Sequence, residues 1–204
     1  MFDVVTIGSS AGGIDACSRL LGMLPKGFSW PILLVQHLHH SQDASIVAEI
    51  IKARTNFSVR AARNKEIVLS GHVYIAPSDQ HLVVTKKRSL SLTKHQKVKN
   101  CRPSIDVLFK SASAVFQERI IGIILTGAND DGADGLMAIK SNGGFTIAQD
   151  PKTAVVSHMP NSAIKKTYID TVLSPEDIGR FLGEMWEVFA SSPITRKRQY
   201  YDRR

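Results

Sequence analysis

Three short segments of the sequence each follow a predicted strand and carry a residue type used in hydrolysis. Ser10 lies in the glycine-rich segment 8–13, His37 ends a short apolar run, and Asp131 lies in the segment 126–132. Serine, histidine and aspartate are the nucleophile, base and orienting acid of serine hydrolases. In an open sheet of parallel strands, the three segments would meet at the carboxyl edge, where ligands bind. The sequence therefore predicts a serine hydrolase site.

The glycine-rich segment has other interpretations. Glycine accepts the unusual dihedral angles of a sharp strand-to-helix turn, and the helix N-terminus after it presents free N–H groups to an anion. A dinucleotide-binding loop is thus one alternative, although the segment fits the G-x-G-x-x-G pattern poorly. Gln36 and His37 also end the second strand where an acidic residue would be needed to hold a ribose. A tight turn with a purely structural role is another alternative.

His37 and His39 have the spacing of two metal ligands on a strand, with Asp43 nearby. A zinc site needs a third ligand and supporting hydrogen bonds, and the sequence offers no clear third ligand. A metal-dependent hydrolase stays an alternative, while the preferred interpretation has no metal and no cofactor. Asp130 and Asp131 could also serve only to shape a turn before a helix.

The elements that must position these residues alternate along the chain. Short β-branched or apolar runs predict strands at 3–7, 32–35, 58–61, 120–125, 145–148 and 169–172. Apolar spacing and capping residues predict helices at 14–24, 41–54, 104–116, 135–141, near 161–166 and from 174 onward. Three further short runs, at 73–76, 82–85 and 90–93, predict an antiparallel insertion. The predicted fold class is α/β, a mostly parallel doubly wound sheet with helices on both faces and a small antiparallel hairpin insertion.

The chain of 204 residues is 43% hydrophobic and 22% charged, a composition typical of one globular domain. Cys17 and Cys101 form no disulfide framework and suit a reducing compartment. The sequence has neither a run of apolar residues long enough to span a membrane nor a signal-peptide pattern. We therefore predict a cytoplasmic protein with one main domain at 1–190 and a flexible, basic C-terminal tail at 191–204.

The net charge of +8 is unevenly distributed. Seven lysines or arginines and no acidic residue lie between residues 80 and 105, and the last ten residues are also strongly basic. No helix-turn-helix or zinc pattern accompanies these residues, and no aromatic residues interleave them, so we expect no nucleic-acid binding. The central cluster is either a solvated hairpin or a surface that attracts an acidic protein partner.

Several separated motifs resemble the catalytic domain of chemotaxis protein-glutamate methylesterases (CheB), over about residues 3–185. In chain order they are IGSSAGG at 7–13, QH at 36–37, GHVYIAP at 71–77, RPSIDVLF at 102–109, ILTG at 124–127, DG at 131–132, IAQD at 147–150 and MP at 159–160. The resemblance implies that Ser10, rather than Ser9, is the nucleophile, with His37 as base and Asp131 as acid. It further implies oxyanion or substrate-binding roles for Ser9, Ala11, Gly12, Ala128, Cys101 and Arg102.

The resemblance also implies an activity and partners. The family hydrolyses methyl esters of glutamate side chains on chemoreceptors and deamidates some receptor glutamines. The expected partner is the methylated cytoplasmic domain of a chemoreceptor, with a separate response regulator as a second candidate and no membrane insertion. Because such receptors are acidic, we expect the basic hairpin between Lys86 and Arg102 to lie beside the catalytic edge and to steer docking.

Three departures from the family pattern qualify the resemblance. Ala128 and Asn129 stand where the family usually has Met-Gly, and Cys101 stands where a histidine often precedes Arg-Pro-Ser. Because the first strand begins at residue 3, we also expect a stand-alone form without the receiver domain, active without a phosphodonor. The altered stretch at Ala128 makes a non-catalytic binding module of a signalling complex the second hypothesis.

Overall fold

The computed structural model describes residues 2–38 and 43–191. The strands are β1 Val4–Ser9, β2 Ile32–Gln36, β3 Ser58–Ala61, β4 His72–Ile75, β5 His81–Val84, β6 Leu90–Thr93, β7 Ile120–Ile124, β8 Phe145–Gln149 and β9 Thr171–Leu173. The helices are α1 Gly13–Gly22, α2 Ala44–Lys52, α3 Ile105–Phe116, α4 Ala133–Ser141, α5 His158–Lys166 and α6 Pro175–Ser191. No helix among these residues is long and apolar enough to cross a membrane.

The main sheet has seven strands in the order β3-β4-β2-β1-β7-β8-β9, and every ladder within it is parallel. β1 is central, with β2 on one side and β7 on the other. The chain first builds outward through β2 and then returns to build outward through β7. Because the direction of building reverses at β1, the carboxyl ends of β1, β2 and β7 form the crevice where doubly wound sheets bind ligands.

Each face of the sheet is covered by its own hydrophobic layer. On one face, α1, α2 and α6 pack through residues such as Leu20, Ile51 and Leu182. On the other, α3, α4 and α5 pack together with the β5–β6 hairpin through residues such as Phe109 and Leu136. Strands buried on both faces need mostly apolar residues at consecutive positions, which explains the apolar runs of β1, β2 and β7; the one polar residue in the middle of β1, Thr6, is fully buried and donates to Ile121 O. The predicted fold class is confirmed.

One strand was assigned to the wrong part of the fold. The run at 73–76 was predicted to belong to the antiparallel insertion, but β4 pairs in parallel with both β2 and β3 inside the main sheet. Val73, Tyr74 and Ile75 are all fully buried, as expected for an inner strand covered on both faces. The antiparallel insertion consists of β5 and β6 alone.

The β5–β6 hairpin runs away from the carboxyl edge of the sheet and then back to it. Its tip lies at the opposite edge, because Arg88 contacts Asp3, which precedes β1, at 3.2 Å. The expectation that the basic hairpin lies beside the catalytic edge is therefore wrong for the tip, which carries Lys86 and Lys87. The segment that follows β6 lies at the carboxyl edge instead, because an antiparallel hairpin returns to the edge from which it began.

Some sequence predictions fall on residues that are not described. His39 and the start of the helix predicted at 41–54 lie outside the described residues, and within them α2 begins at Ala44. Of the predicted tail at 191–204, only Ser191 is described, as the last residue of α6. The helix predicted from residue 174 onward agrees with α6, whose start is capped by Ser174 Oγ, which accepts a hydrogen bond from Asp177 N at 3.2 Å.

Candidate active site

Three neighbouring strands deliver the predicted catalytic residues to one edge of the sheet. Ser10 directly follows β1, His37 directly follows β2, and Asp131 lies between β7 and α4. His37 N donates to Ser9 O at 2.9 Å, so the β1–β2 pairing continues to the edge and fixes where His37 begins. Ser10 and His37 line one pocket of about 300 Å³, and Asp131 is fully buried behind the imidazole.

Gly12 and Gly13 make the sharp turn from β1 into α1. Gly12 has a φ of 77°, a left-handed conformation that glycine adopts without strain. A Cβ atom on Gly13 would come within 2.6 Å of Ser9 Cβ, so a side chain there would displace Ser9. Within the described part of the chain, the N–H groups of Ala11, Gly12 and Ala128 make no hydrogen bond. They are therefore available to an oxyanion, the role predicted for these residues.

Gln36 holds the nucleophile and base segments together. Its Nε2 donates to Ser10 O at 2.8 Å and to His37 O at 2.9 Å. Its Oε1 accepts a hydrogen bond from Ser9 Oγ at 2.7 Å. Ser9 is fully buried in this contact and does not line the pocket with Ser10, and an oxyanion or substrate-binding role for Ser9 stays a prediction. The Ser9 hydroxyl orients Gln36, a function that a buried polar pair can serve without touching the pocket.

Asp131 lies at the N-terminus of α3 and accepts hydrogen bonds with both carboxylate oxygens. Ser104 Oγ donates at 2.8 Å, Ile105 N at 2.7 Å and Asp106 N at 3.1 Å. Burial alone would raise the pKa of Asp131, but its hydrogen bonds with His37 and with these N–H groups outweigh burial and lower the pKa. Asp131 is therefore held ionised where it can orient the imidazole.

A second buried carboxylate completes the link between α3 and α4. Asp106 Oδ1 accepts hydrogen bonds from Gly132 N at 2.9 Å and from Gly135 N at 2.7 Å, at the start of α4. Each helix N-terminus is thus capped by a carboxylate from the other segment, which suits the positive end of the helix dipole. Burial and the nearby charge of Asp131 raise the pKa of Asp106.

Lys99 forms ion pairs with Asp106 and two neighbouring carboxylates, and it anchors the loop that leads into the pocket. Its Nζ lies 3.1 Å from Asp106, 3.2 Å from Asp130 and 3.1 Å from Asp134. Burial works against its charge, but the carboxylates raise the pKa of Lys99 above its ordinary value. Lys99 follows β6 by only a few residues, so these ion pairs tie the end of the hairpin to the Asp131 loop.

The imidazole of His37 presents a different nitrogen to each neighbour. Nε2 lies 2.9 Å from Asp131 Oδ2, while Nδ1 faces the pocket and lies 3.9 Å from Cys101 Sγ. Burial alone would lower the pKa of His37, but the interactions with Asp131 and Cys101 raise it to about 9. No hydrogen bond between Ser10 Oγ and the ring is present in the described residues; such contacts are often loose until substrate binds.

Cys101 and Arg102 occupy the wall of the pocket opposite the nucleophile loop. Cys101 Sγ accepts a hydrogen bond from Asn129 Nδ2 at 3.1 Å and lies 3.4 Å from Lys99 O. The Arg102 guanidinium binds Asp79 Oδ1 at 2.6 Å and also contacts the carbonyls of residues 94 and 95. Both residues line the pocket, and their substrate-binding role stays a prediction; most of the Arg102 donors are already used.

The pocket does not fit a site in which His37, Cys101 and Asp131 together bind one metal ion. The ligand atoms of His37, Cys101 and Asp131 all lie within 4.8 Å of one another. However, Nε2 faces Asp131 and Nδ1 faces Cys101, and one ion can bind only one of these nitrogens. Both Asp131 oxygens also accept hydrogen bonds from α3. The three groups therefore fit a chain of hydrogen bonds, with the charged groups paired as buried groups require.

Comparison with known proteins gives the same family over most of the chain. The family model described as CheB methylesterase matches residues 5–182. The chain is 45% identical over 177 residues to a Leptospira interrogans protein that is provisionally assigned as a protein-glutamate methylesterase/protein-glutamine glutaminase, covering 87% of this chain and 91% of that protein.

Longer relatives match over about half their length. The Thermotoga maritima protein-glutamate methylesterase/protein-glutamine glutaminase is 36% identical over 185 residues, which cover 89% of this chain and 54% of that protein. The crystal structure of the Thermotoga maritima CheB methylesterase catalytic domain superposes with a TM-score of 0.86 at 35% identity, covering 91% of this chain and 99% of that domain. The chain therefore belongs to the CheB methylesterase family.

Proposed function

We propose that this protein is a protein-glutamate methylesterase in which Ser10 is the nucleophile, His37 the general base and Asp131 the acid that orients the base. The observation that carries the proposal is the buried 2.9 Å contact between His37 Nε2 and Asp131 Oδ2 beside a pocket that Ser10 lines. A base held by an ionised acid next to a hydroxyl that lines a pocket is the arrangement that activates a serine.

The reaction follows from these positions. His37 Nδ1 accepts the proton of Ser10, whose oxygen attacks the γ-carbonyl carbon of a glutamyl methyl ester. The N–H groups of Ala11, Gly12 and Ala128 would stabilise the oxyanion. His37 then returns the proton to the departing methoxide, and methanol leaves. Water attacks the acyl-serine by the same route and releases the glutamate carboxylate.

The charge of His37 determines the pH range of this reaction. Only the neutral imidazole can accept the Ser10 proton, and the pKa of His37 is raised to about 9. We therefore expect turnover to rise through neutral pH and to level off above about pH 9. Because the pKa of buried Asp131 is lowered, we expect Asp131 to stay ionised across this pH range and to add no second step to the pH profile of turnover.

The partner we propose is the methylated, acidic cytoplasmic domain of a chemoreceptor, which places the protein in the cytoplasm. Lys94, His95 and Lys97 are exposed on the segment that returns to the catalytic edge, and Lys97 lines the same pocket as Ser10. Charges at the rim of a docking surface accelerate association with an oppositely charged partner. We therefore assign the docking role to this segment rather than to the hairpin tip.

The test is methanol release from a methylated receptor fragment. Ser10→Ala should reduce turnover on the order of 10⁴-fold or more, because the covalent route is lost. Ser141→Ala, an exposed serine at the end of α4, is the matched control and should retain wild-type turnover. Ammonia release from an unmethylated receptor fragment with glutamine at the same sites tests deamidation in parallel.

The result also separates methylesterase from binding module. A binding module would hold the receptor fragment equally well as wild type and as the Ser10→Ala variant, and neither protein would release methanol. If wild type and Ser10→Ala released methanol at the same rate, the nucleophile assignment would be wrong. Loss of activity on adding a chelator, without loss on serine-directed acylation, would instead support the metal-dependent alternative.

A further inference from the structure

Cys101 and Ser10 share one imidazole. Cys101 Sγ lies 3.9 Å from His37 Nδ1, while His37 Nε2 lies 2.9 Å from Asp131. A thiol, an imidazole and a carboxylate are thus aligned in the order of the nucleophile, base and acid of a cysteine hydrolase. The imidazole that the proposed mechanism assigns to the serine can also take the proton of this thiol.

The two departures from the family pattern around the pocket are in direct contact. Asn129 Nδ2 donates to Cys101 Sγ at 3.1 Å, so the sulfur can accept hydrogen bonds from both the amide and a protonated His37. The thiol also donates to Lys99 O at 3.4 Å. Once its proton has moved to His37, both donors would stabilise the thiolate, because charge-assisted hydrogen bonds are stronger than neutral ones. Cys101 is also partly exposed and lines the pocket, so small solutes can reach it.

We propose that Cys101 is a modification site, a sulfur activated by His37 and Asn129 that hydroperoxides oxidise to a sulfenic acid. The thiol proton passes to His37 Nδ1, and the sulfur attacks one peroxide oxygen. A sulfur–oxygen bond forms as the oxygen–oxygen bond breaks. The sulfur loses two electrons, the departing hydroxide gains them, and this hydroxide takes the proton from His37 to become water.

Oxidation at this position switches off the hydrolase, a consequence that rests on the proposed function. The added oxygen projects from Cys101 into the pocket that Ser10 also lines. It can donate a hydrogen bond to His37 Nδ1, the nitrogen that must accept the Ser10 proton. Because sulfenic acids are reduced by thiols, the inhibition is reversible.

The second cysteine supplies an internal control. Cys17 is fully buried in α1 and its Sγ lies 3.6 Å from Ser9 Oγ. Burial raises the pKa of Cys17 to about 12, so its thiol stays protonated and out of reach of peroxide. Any modification that appears on both cysteines reports unfolding rather than the chemistry of the pocket.

The experiment treats the full-length protein with hydrogen peroxide and traps sulfenic acid with dimedone before mass spectrometry. We expect one adduct, on Cys101, formed at least about tenfold faster than in His37→Ala or Asn129→Gly, which remove one donor each. The Asn129→Gly variant keeps the test valid should the His37 variant fail to fold. Equal adduct rates in wild type and both variants, or equal adducts on Cys17, would overturn the proposal.

Activity is measured on the same samples, each relative to its own untreated rate. Peroxide should abolish at least about nine-tenths of wild-type and Cys17→Ser turnover, dithiothreitol should restore it, and Cys101→Ser should be unaffected by peroxide. If adducts form on Cys101 while turnover persists, the switch is refuted. If no sample hydrolyses the methylated receptor, the proposed function fails instead, and the adduct rates still decide whether Cys101 is activated.

Discussion

The contact between His37 and Asp131 should leave a measurable mark on the pH dependence of stability. Unfolded histidine has a pKa of about 6.5, whereas folding raises that of His37 to about 9. A group whose pKa is raised by folding stabilises the protein fully at a pH below its pKa in the unfolded state. This contribution is lost as the pH rises through its pKa in the folded state. The difference corresponds to about 3 kcal/mol of unfolding free energy lost between about pH 6.5 and pH 10.

Asp131→Asn removes the charge that favours the protonated imidazole. Burial then acts on His37 with less opposition, so the decline across that pH range should shrink to about 1 kcal/mol or less. The variant will also lose stability at every pH, because an amide at position 131 presents a donor to the N–H groups of α3. Comparing the slope with pH, rather than the absolute stability, removes that constant offset.

The assay is urea unfolding of wild type and Asp131→Asn at intervals from pH 6 to pH 10. His158→Gln is the matched control, because His158 begins α5 and does not line the pocket, and the fall in stability assigned to His37 should persist in this variant. If wild type and Asp131→Asn declined in parallel, the assignment of the raised pKa of His37 to its bond with Asp131 would be wrong.

Two further predictions concern lysines around the site. Lys94→Glu combined with Lys97→Glu should raise KM on an acidic receptor fragment severalfold at low salt and leave kcat nearly unchanged. The control pair, Lys86→Glu combined with Lys87→Glu at the distant hairpin tip, should change neither constant. Equal effects of the two pairs would refute the assignment of docking to the segment after β6. Lys99→Met should cost about 3 kcal/mol of unfolding free energy at pH 7, because it leaves the buried Asp106 carboxylate without its counter-charge. A loss below about 1 kcal/mol in urea unfolding would refute the assignment of Lys99 as the counter-charge of Asp106.

The placement of the three predicted catalytic residues could be expected from the sequence because local patterns carry it. β1, β2 and β7 are short, mostly apolar runs, and Ser10 and His37 directly follow two of them. Parallel strands place such residues at one edge whatever the details of packing. The resemblance to the family then indicates Ser10 rather than Ser9 as the nucleophile, which the periodicity of apolar residues alone does not decide.

The residues that support the site carry no comparable local signal. Gln36 contacts Ser9 across 27 positions and Ser104 contacts Asp131 across 27 positions, and a contact at that separation depends on the finished fold. Lys99 looked like one more charge of a basic hairpin, yet it is the counter-charge of three carboxylates. Gln36 and Ser104 stand in family motifs, but a motif does not reveal the hydrogen-bond partners of its residues.

The expectation that the basic residues of the hairpin act together beside the catalytic edge was wrong for a geometric reason. Seven basic residues close together in sequence were treated as one surface. A hairpin of two four-residue strands separates its tip from its ends by the length of those strands, about 13 Å. That distance exceeds the screening length at physiological salt, so Lys86 and Lys97 act on different faces of the molecule.

The exchange of carboxylates between α3 and α4 has a consequence for amide hydrogen exchange. The N–H groups of Ile105 and Asp106 donate to Asp131, while those of Gly132 and Gly135 donate to Asp106. Neither helix start can open to solvent without releasing a buried carboxylate that the other holds. These four amides should therefore exchange with deuterium at closely similar rates, as one cooperative unit. Their exchange would report, without any substrate, how often the acid that orients His37 leaves its position.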